Sequence, residues 1–323
     1  PDVFIKMAAE RTRNIRLGAC VSSLSSQHPL VLADRIMQLD HVTRGRVALC
    51  AGPVALPFDT DMMGVRPEEQ TQAMRCAIEV LVPLLKGEQV SSKTRWFELD
   101  EARLQLSPYS KPMVEDEARL QLPPYSKPMV EMAVAAQTSP AGASMAGSYG
   151  LGLISIGATS PGGFNALAPS WEIYERKALG NNHPVDRKRW SLAGPVHIAE
   201  TREQAFDNVR YGLGEWVRYF QEVVSLPLVS VECDDPAREL VNSGLAVIGA
   251  PEDAIAQICR LQEQSGGFGC FLQLAHHWAD PAATRKSYEL FMQYVKPEMG
   301  AHNGEIARSL GFTGSEEDAF GNS

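Results

Sequence analysis

The stretch from Ile15 to Gly52 decides the fold and reads IRLGACVSSLSSQHPLVLADRIMQLDHVTRGRVALCAG. Two short apolar runs, 15–21 and 46–51, flank a segment in which Leu32, Ile36 and Leu39 recur at helical spacing. Pro29 suits a first helical position, because its missing N–H would have no intrahelical partner there. The stretch therefore predicts a strand–helix–strand unit with a connection long enough for a parallel crossover. Periodicity alone does not distinguish it from any other α/β unit.

Composition narrows the class of protein. The chain has 323 residues, enough for one large α/β barrel or two ordinary domains, and its 44% hydrophobic content is globular. Its net charge of -9 argues against a nucleic-acid partner, which requires a basic face. The six cysteines form no Cys-x-x-Cys pair and indicate reduced thiols, which favours a cytoplasmic protein. No apolar run reaches the roughly 20 residues of a membrane span, so no membrane partner is expected.

Strand-like runs separated by helical segments continue along the chain and favour a parallel α/β barrel. We count six such strands, near residues 17, 48, 134, 153, 195 and 272. A closed barrel of this kind has eight, and the chain opens at Pro1-Asp2 in a helical pattern with no strand before it. We therefore expect a (β/α)₈ barrel over 1–298 that lacks its first two strands, and a flexible tail over 299–323. As it stands, such a chain is expected to be a poor catalyst.

An internal repeat interrupts the barrel pattern. The segment Glu101–Asp116 reads EARLQLSPYSKPMVED, and Glu117–Met132 reads EARLQLPPYSKPMVEM. A 16-residue unit that occurs twice matches no solenoid class, since solenoids need three or more units to bury a core. We interpret 101–132 as a recent tandem duplication or an artefact of sequence assembly. The second copy is expected to keep the native path into the strand at 130–136.

Barrel enzymes place their chemistry in the loops that follow the strands. Thr138-Ser139 follows one strand and precedes Pro140, so Ser139 offers a hydroxyl and the positive end of a helix, which suits a phosphate. The alternative is a plain N-cap. His28 precedes the first crossover helix and is either a polar group at the mouth of the site or a helix cap. No metal site is expected, because His276 and His277 are neighbours and no third ligand has zinc spacing.

A set of short motifs occurs in a recognisable order, although no single one is specific. The motifs are Arg11-Thr12, 15–18, His28-Pro29, Leu39-Asp40, Gly45-Arg46, Trp96-Phe97, 139–142, 155–159, 194–195 with 197–202, and 265–269. As an ordered set they resemble the luciferase-like flavin-dependent monooxygenases, most strongly their limonene monooxygenase branch.

The resemblance implies cofactors, partners and site residues. It implies reduced flavin, FMN or FAD, supplied by a separate NAD(P)H-dependent reductase, with O₂ as co-substrate and a small apolar substrate such as a monoterpene. It places the backbone of Ala19, Cys20 and Val21 and that of Gly52 against the flavin ring, and Thr138 and Ser139 at the flavin phosphate. It also implies a homo-oligomer. Cys50 stands where relatives often carry Gly, so its thiol either narrows the site or fills core.

Three alternatives remain open from the sequence. A deazaflavin (F420)-dependent hydride-transfer enzyme uses the same barrel. A non-catalytic flavin-binding paralogue would keep the site without turnover. The third alternative is a defective or spurious reading frame, which the duplication favours.

Overall fold

The computed structural model describes residues 1–53, 56–105, 126, 129–224, 226, 228–230 and 233–299. Most of the repeat, 106–125 with 127 and 128, and nearly all of the predicted tail, from 300 onward, lie outside these residues.

Helices and strands alternate along the described chain. The helices are α1 (Asp2–Arg11), α2 (Pro29–Thr43), α3 (Pro57–Met63), α4 (Gln70–Leu85), α5 (Pro140–Ser148), α6 (Pro161–Asn165), α7 (Leu167–Gly180), α8 (Arg202–Val209), α9 (Leu213–Glu222), α10 (Pro236–Asn242), α11 (Pro251–Ser265) and α12 (Pro281–Leu290), which a π-helical turn extends over Phe291–Val295. The strands are β1 (Leu17–Ser23), β2 (Val47–Gly52), β3 (Val90–Lys93), β4 (Glu98–Ala102), β5 (Glu131–Ala136), β6 (Gly152–Ser155), β7 (Trp190–Ile198), β8 (Val247–Gly249) and β9 (Cys270–Leu274).

The predicted strand–helix–strand unit is confirmed as β1–α2–β2. The two strands pair in parallel, from Leu17 opposite Val47 to Cys20 opposite Cys50. Pro29 is the first residue of α2, and Arg44 ends it in the left-handed conformation, at φ 55. Residues at helical spacing on α2, such as Leu32 and Ile36, are at most 3% exposed, so this face of the helix is core.

Seven of the strands belong to one sheet with the order β1-β2-β5-β6-β7-β8, and β9 pairs with β7. The paired strands along that order are parallel, whereas β3 and β4 form a separate antiparallel hairpin. The count of six strands from the sequence was wrong, because Val247–Gly249 forms a strand of only three residues that the pattern did not show.

The described residues form two compact units. The first comprises Pro1–Gly194, Tyr219–Leu226 and Glu263–Leu272, and the second the described parts of Pro195–Arg218, Pro227–Gln262 and Gln273–Ser323. In the first, Trp171 stacks on both Tyr174 and Trp190, with ring centroids 4.7 and 5.0 Å apart. The Tyr174 hydroxyl donates to the carbonyl oxygen of Leu151 at 3.0 Å, so this aromatic cluster ties α7 to the start of β6.

The second unit is built around a buried tryptophan. Trp278 is 0% exposed and packs edge-on against Trp216, with centroids 5.1 Å apart. The sequence predicts one long helix from Glu200 to Val224, but the structure divides it into α8 and α9 at Gly212. The N–H of Gly212 donates to the Trp278 carbonyl at 3.0 Å, and a Cβ at Gly212 would lie 1.9 Å from the His277 carbonyl oxygen. The helix breaks there because backbone from the loop after β9 occupies the space.

The segment Leu226–Asn242, which the sequence predicts to be irregular, contains helix α10. Asp235 is its N-cap, and one carboxylate oxygen accepts from the N–H of Arg238 at 3.1 Å. An Asp-Pro helix start was therefore present in the sequence and was not recognised.

Candidate functional site

The loop after β5 carries two of the predicted site residues. Ser139 is the N-cap of α5, and its Oγ accepts from the N–H of Ala141 at 3.3 Å, with Pro140 in the first helical position. Thr138 and Ser139 are both exposed. The N-cap role of Ser139 is thus confirmed, and the exposed residues Thr138, Ser139 and Pro140 lie at the end of α5 that attracts anions.

The start of α5 is held close to the end of β5 by a glycine. A Cβ at Gly142 would lie 2.8 Å from the carbonyl oxygen of Ala135 and 2.8 Å from the Cβ of Ala136. Any side chain at Gly142 would therefore push the helix off the strand. The position of Ser139 depends on this contact, because Ser139 lies only one turn away on the same helix.

A second loop, after β6, lies beside the first. Ser160 caps α6: its Oγ donates to the carbonyl of Gly157 at 2.8 Å and accepts from the N–H of Gly163 at 3.2 Å. A Cβ at Gly162 would lie 3.2 Å from the Cγ2 of Thr138, so the two loops are in contact. The sequence predicts only a flexible loop at 157–163. The signal that was missed is the pair Ser160-Pro161, which repeats the Ser139-Pro140 helix start.

The ends of β1 and β2 bring together the other predicted flavin-contacting residues. Ala19 is buried, Cys20 is exposed and Val21 is half-buried, and the Cys20–Val21 peptide bond is cis. A Cβ at Gly52 would lie 2.7 Å from the Cγ1 of Val21, so the two strand ends touch at this level. The predicted group on β1 and β2 is therefore one continuous patch, and its contact with flavin stays a prediction.

Two thiols face each other on this patch. Cys20 and Cys50 are register partners on β1 and β2. A side-chain hydrogen bond from the Cys50 thiol lowers the pKa of Cys20, although burial acts in the opposite direction. The same hydrogen bond, together with burial, raises the pKa of Cys50. The exposed thiol is therefore the more acidic of the two.

His28 lies at the start of α2 and does not cap it, since its side chain makes no capping hydrogen bond. Its ring packs edge-on against Phe97, with centroids 6.2 Å apart. Both residues line a cavity of about 240 Å³ together with Leu24, Met63 and Trp96. The helix-cap alternative is thus not what the structure shows, and a catalytic role for His28 stays a prediction.

Two histidines in the second unit, the buried His197 and the half-buried His276, are held neutral. Burial lowers the pKa of both His197 and His276 to about 4. The Nε2 of His276 lies 3.0 Å from the Val196 carbonyl, and its ring stacks on Trp278 at 3.9 Å. His276 therefore carries its proton on Nε2, because the carbonyl can only accept. The sequence includes His197 only as part of the motif 197–202 and gives it no role of its own; it is 0% exposed at the end of β7.

A larger cavity lies in the second unit. Its volume is about 950 Å³, and it is lined by Tyr211, His276, His277, Ala279, Pro281, Thr284, Arg285, Tyr288, Glu289, Met292 and Gln293. Its lining follows one face of α12, and its size falls within the range of small-molecule sites.

No group of three or more His, Cys, Asp or Glu side chains within the described part of the chain is arranged to hold a metal ion. None of the helices formed by the described residues is long and apolar enough to cross a membrane.

Comparison with known proteins identifies the family. The family described as luciferase-like monooxygenase matches residues 2–267. The chain is 40% identical over 310 residues to limonene 1,2-monooxygenase of Rhodococcus erythropolis, covering 96% of this chain and 75% of that protein. It is 34% identical over 327 residues to 4-hydroxyprotoasukamycin monooxygenase of Streptomyces nodosus subsp. asukaensis, covering 99% and 83%.

A solved structure supports the fold. The oxygenating constituent of 3,6-diketocamphane monooxygenase from Pseudomonas putida, in complex with FMN, superposes with a TM-score of 0.71 at 25% identity, covering 92% of this chain and 83% of that one. The α/β fold class and the family resemblance predicted from the ordered motifs are both confirmed. This chain belongs to the luciferase-like monooxygenase family.

Proposed function

We propose that this protein is a flavin-dependent monooxygenase that uses reduced flavin and O₂ to oxygenate a small apolar substrate of the monoterpene type. The observation that carries the proposal is the pairing of two surfaces in one unit. One is the exposed N-terminus of α5 at Thr138-Ser139, and the other is the small-residue patch of Ala19, Cys20, Val21 and Gly52.

The first surface suits the flavin phosphate. The first N–H groups of a helix have no intrahelical partner, and the helix dipole is positive at that end. Ser139 and Thr138 add two neutral hydroxyls that are exposed at the same place. The contact between Thr138 and the Gly162 backbone brings the N-terminus of α6 beside that of α5. We infer that Thr138, Ser139 and the adjacent backbone hold the phosphate.

The second surface suits a flat ring. Gly52 has no side chain and lies close to Val21, so the two strand ends consist of backbone and small groups, of which Cys20 is exposed and Val21 is half-buried. A planar ring binds best where no long side chain projects. The ring of the flavin would therefore lie against Ala19, Cys20, Val21 and Gly52.

The flavin, when bound, supplies the activation of oxygen, and the protein supplies position and a dry environment. The residues described at the two surfaces fit a positioning role, since they provide backbone groups, small side chains, hydroxyls and thiols. Support for the substrate class comes from the relative that is named for limonene, at 40% identity. The separate flavin reductase is part of the same proposal.

The phosphate contact is tested by two variants of one residue. Ser139→Asn and Ser139→Asp both retain a side chain that caps α5, and they differ mainly in charge. We expect Ser139→Asp to weaken FMN binding more than tenfold, about 1.4 kcal/mol, by fluorescence titration, and Ser139→Asn to change it less. Riboflavin, which lacks the phosphate, should show no such difference between the variants. Equal FMN affinity in both variants would remove Ser139 from the site.

The reaction is tested by oxygen consumption. With FMN kept reduced by any NAD(P)H-dependent flavin reductase, limonene should raise product formation, and label from ¹⁸O₂ should enter the product. A requirement for reduced deazaflavin, with no oxygen consumed, would favour the hydride-transfer alternative. Flavin binding without turnover would favour a non-catalytic paralogue.

A further inference from the structure

Cys20 and Cys50 occupy positions that a disulfide can bridge. They are direct register partners on two adjacent parallel strands, and their side chains lie on the same face because they share one level of the sheet. Neighbouring strands are about 4.8 Å apart, which falls within the Cα separation of about 4.4–6.8 Å that disulfides span. Bridging them thus requires rotation of side chains and little movement of backbone.

The two thiols differ in solvent exposure and in acidity, as the two cysteines of a redox-active pair do. Cys20 is exposed and Cys50 is buried at 5% exposure. The contact with the Cys50 thiol favours the thiolate of Cys20, which is the nucleophilic form. An oxidant therefore meets Cys20 first, and Cys50 lies within reach to resolve the oxidised product.

We propose that Cys20 and Cys50 are a peroxide-sensitive modification site that closes to a reversible disulfide. The Cys20 thiolate attacks the O–O bond of hydrogen peroxide, forms a sulfenic acid and releases hydroxide, which takes a proton to become water. The Cys50 sulfur, losing its proton, then displaces the hydroxyl group from Cys20 and forms the S–S bond, with release of a second water. Two thiols lose two electrons and two protons, and one peroxide is reduced to two waters. A dithiol such as dithiothreitol reverses the step.

The disulfide would alter the patch that includes Val21 and Gly52. Cys20 directly precedes Val21, and Cys50 lies two residues before Gly52, so the bridge changes the surface from two thiols to a fixed S–S unit. A lower affinity for flavin after oxidation is expected, and this consequence alone rests on the proposed function.

The test is intact mass together with peptide mapping of the full chain. Hydrogen peroxide should remove the mass of two hydrogens, and dithiothreitol should restore it. After blocking of free thiols with N-ethylmaleimide, trypsin should release the peptide 17–35 linked to the peptide 47–75. The matched control is Cys270→Ser, which removes another exposed cysteine and should leave the linked peptide unchanged.

Cys20→Ser and Cys50→Ser should each abolish the linked peptide. Because Cys50→Ser places a hydroxyl in the core, the wild-type map decides the question even if that variant does not fold. Free Cys50 beside a sulfinic or sulfonic Cys20 in the oxidised wild type would overturn the proposal. A linked peptide with unchanged FMN affinity would leave the modification site intact and would remove only its effect on flavin.

Discussion

The repeat allows a specific prediction, because each of its two copies contains an equivalent serine. Both copies contain Tyr-Ser-Lys-Pro, with the serine at Ser110 in the first and Ser126 in the second. The Oγ of Ser126 donates to Asp40 Oδ1 at 2.6 Å, and its backbone N–H donates to Asp40 Oδ2 at 3.1 Å. Asp40 lies on α2 and is 0% exposed. The second copy is therefore the one that satisfies a buried carboxylate, and we predict that only Ser126→Ala is destabilising.

The magnitude follows from the type of bond that is lost. A hydrogen bond to a charged group contributes about 1.5–3 kcal/mol, and the buried acceptor is left with one donor fewer. The backbone N–H of Ser126 keeps its bond in the variant, so we expect a loss of about 2 kcal/mol. For a domain of about 150–250 residues this lowers the thermal midpoint by about 4–8 °C.

The assay is thermal unfolding of the wild type, Ser126→Ala and Ser110→Ala under one set of conditions. Ser110→Ala should stay within about 0.5 kcal/mol of wild type, because Ser126 already supplies the hydroxyl that bonds Asp40. Deletion of Glu101–Asp116 should leave stability the same or higher, because Glu117–Met132 repeats nearly the same sequence and the free energy of closing a loop changes by only about 0.6 kcal/mol per doubling of its length. Equal losses in the two serine variants, or several degrees lost on the deletion, would refute the assignment of the native path to the second copy.

Three further perturbations test the packing and the buried groups. Gly142→Ala should lower the free energy of unfolding by about 1–2 kcal/mol and weaken FMN binding, because its Cβ would lie 2.8 Å from the Ala135 carbonyl oxygen. In the same thermal unfolding experiments Gly180→Ala should be neutral or slightly stabilising, because a Cβ at Gly180 would meet no neighbouring atom within 4 Å. Tyr174→Phe should cost about 1–2 kcal/mol in urea unfolding, because it leaves the Leu151 carbonyl without its 3.0 Å hydrogen bond. The folded pKa of His197 is lowered to about 4 from 6.5, so the unfolded chain binds more protons between pH 6.5 and 4. This group alone lowers stability by up to about 1.4 kcal/mol per pH unit as the pH falls through that range, and the wild type should lose stability more steeply there than His197→Gln.

The outcomes that would contradict these three are specific. Equal melting of Gly142→Ala and Gly180→Ala would show that α5 can move off β5 without cost. An unchanged Tyr174→Phe would mean that another donor replaces the hydroxyl. For His197, the variant keeps part of the pH dependence, because burial also lowers the pKa of His276 to about 4. An identical acid slope in wild type and His197→Gln would remove His197 as a source of that dependence.

The parts of the fold that the sequence predicts are those that local periodicity determines. The apolar spacing along α2 and the proline at its start define the first crossover without any knowledge of the neighbouring elements. Strand β8 was missed because three residues, Val247–Gly249, are too few to show a period. The break at Gly212 was missed for a different reason: the carbonyl of His277 that fills the space comes from a distant part of the chain.

The same distinction applies to the candidate site. Ser139 as an N-cap follows from the local sequence Ser-Pro after an apolar strand, and Ser160 could have been recognised by the same rule. The contact between Val21 and Gly52 and the pairing of Cys20 with Cys50 depend on the register of β1 against β2. Register is a property of two strands, so neither strand read alone shows it.

The close backbone contacts of the site explain why its sequence signal is spread over many weak motifs. Gly52, Gly142 and Gly163 each stand where an added Cβ would lie 2.8 Å or less from a neighbouring atom. Only glycine fits at these positions, so a ligand bound here would contact backbone atoms and small side chains. A site of that kind needs no charged triad or metal cluster, because a bound flavin carries the reactive group. Single motifs such as Ser-Pro or a strand ending in Gly are common in α/β proteins for structural reasons alone. What identifies this site is that all of them occur in one order, at the spacing that brings the ends of β1, β2, β5 and β6 to one edge of the sheet.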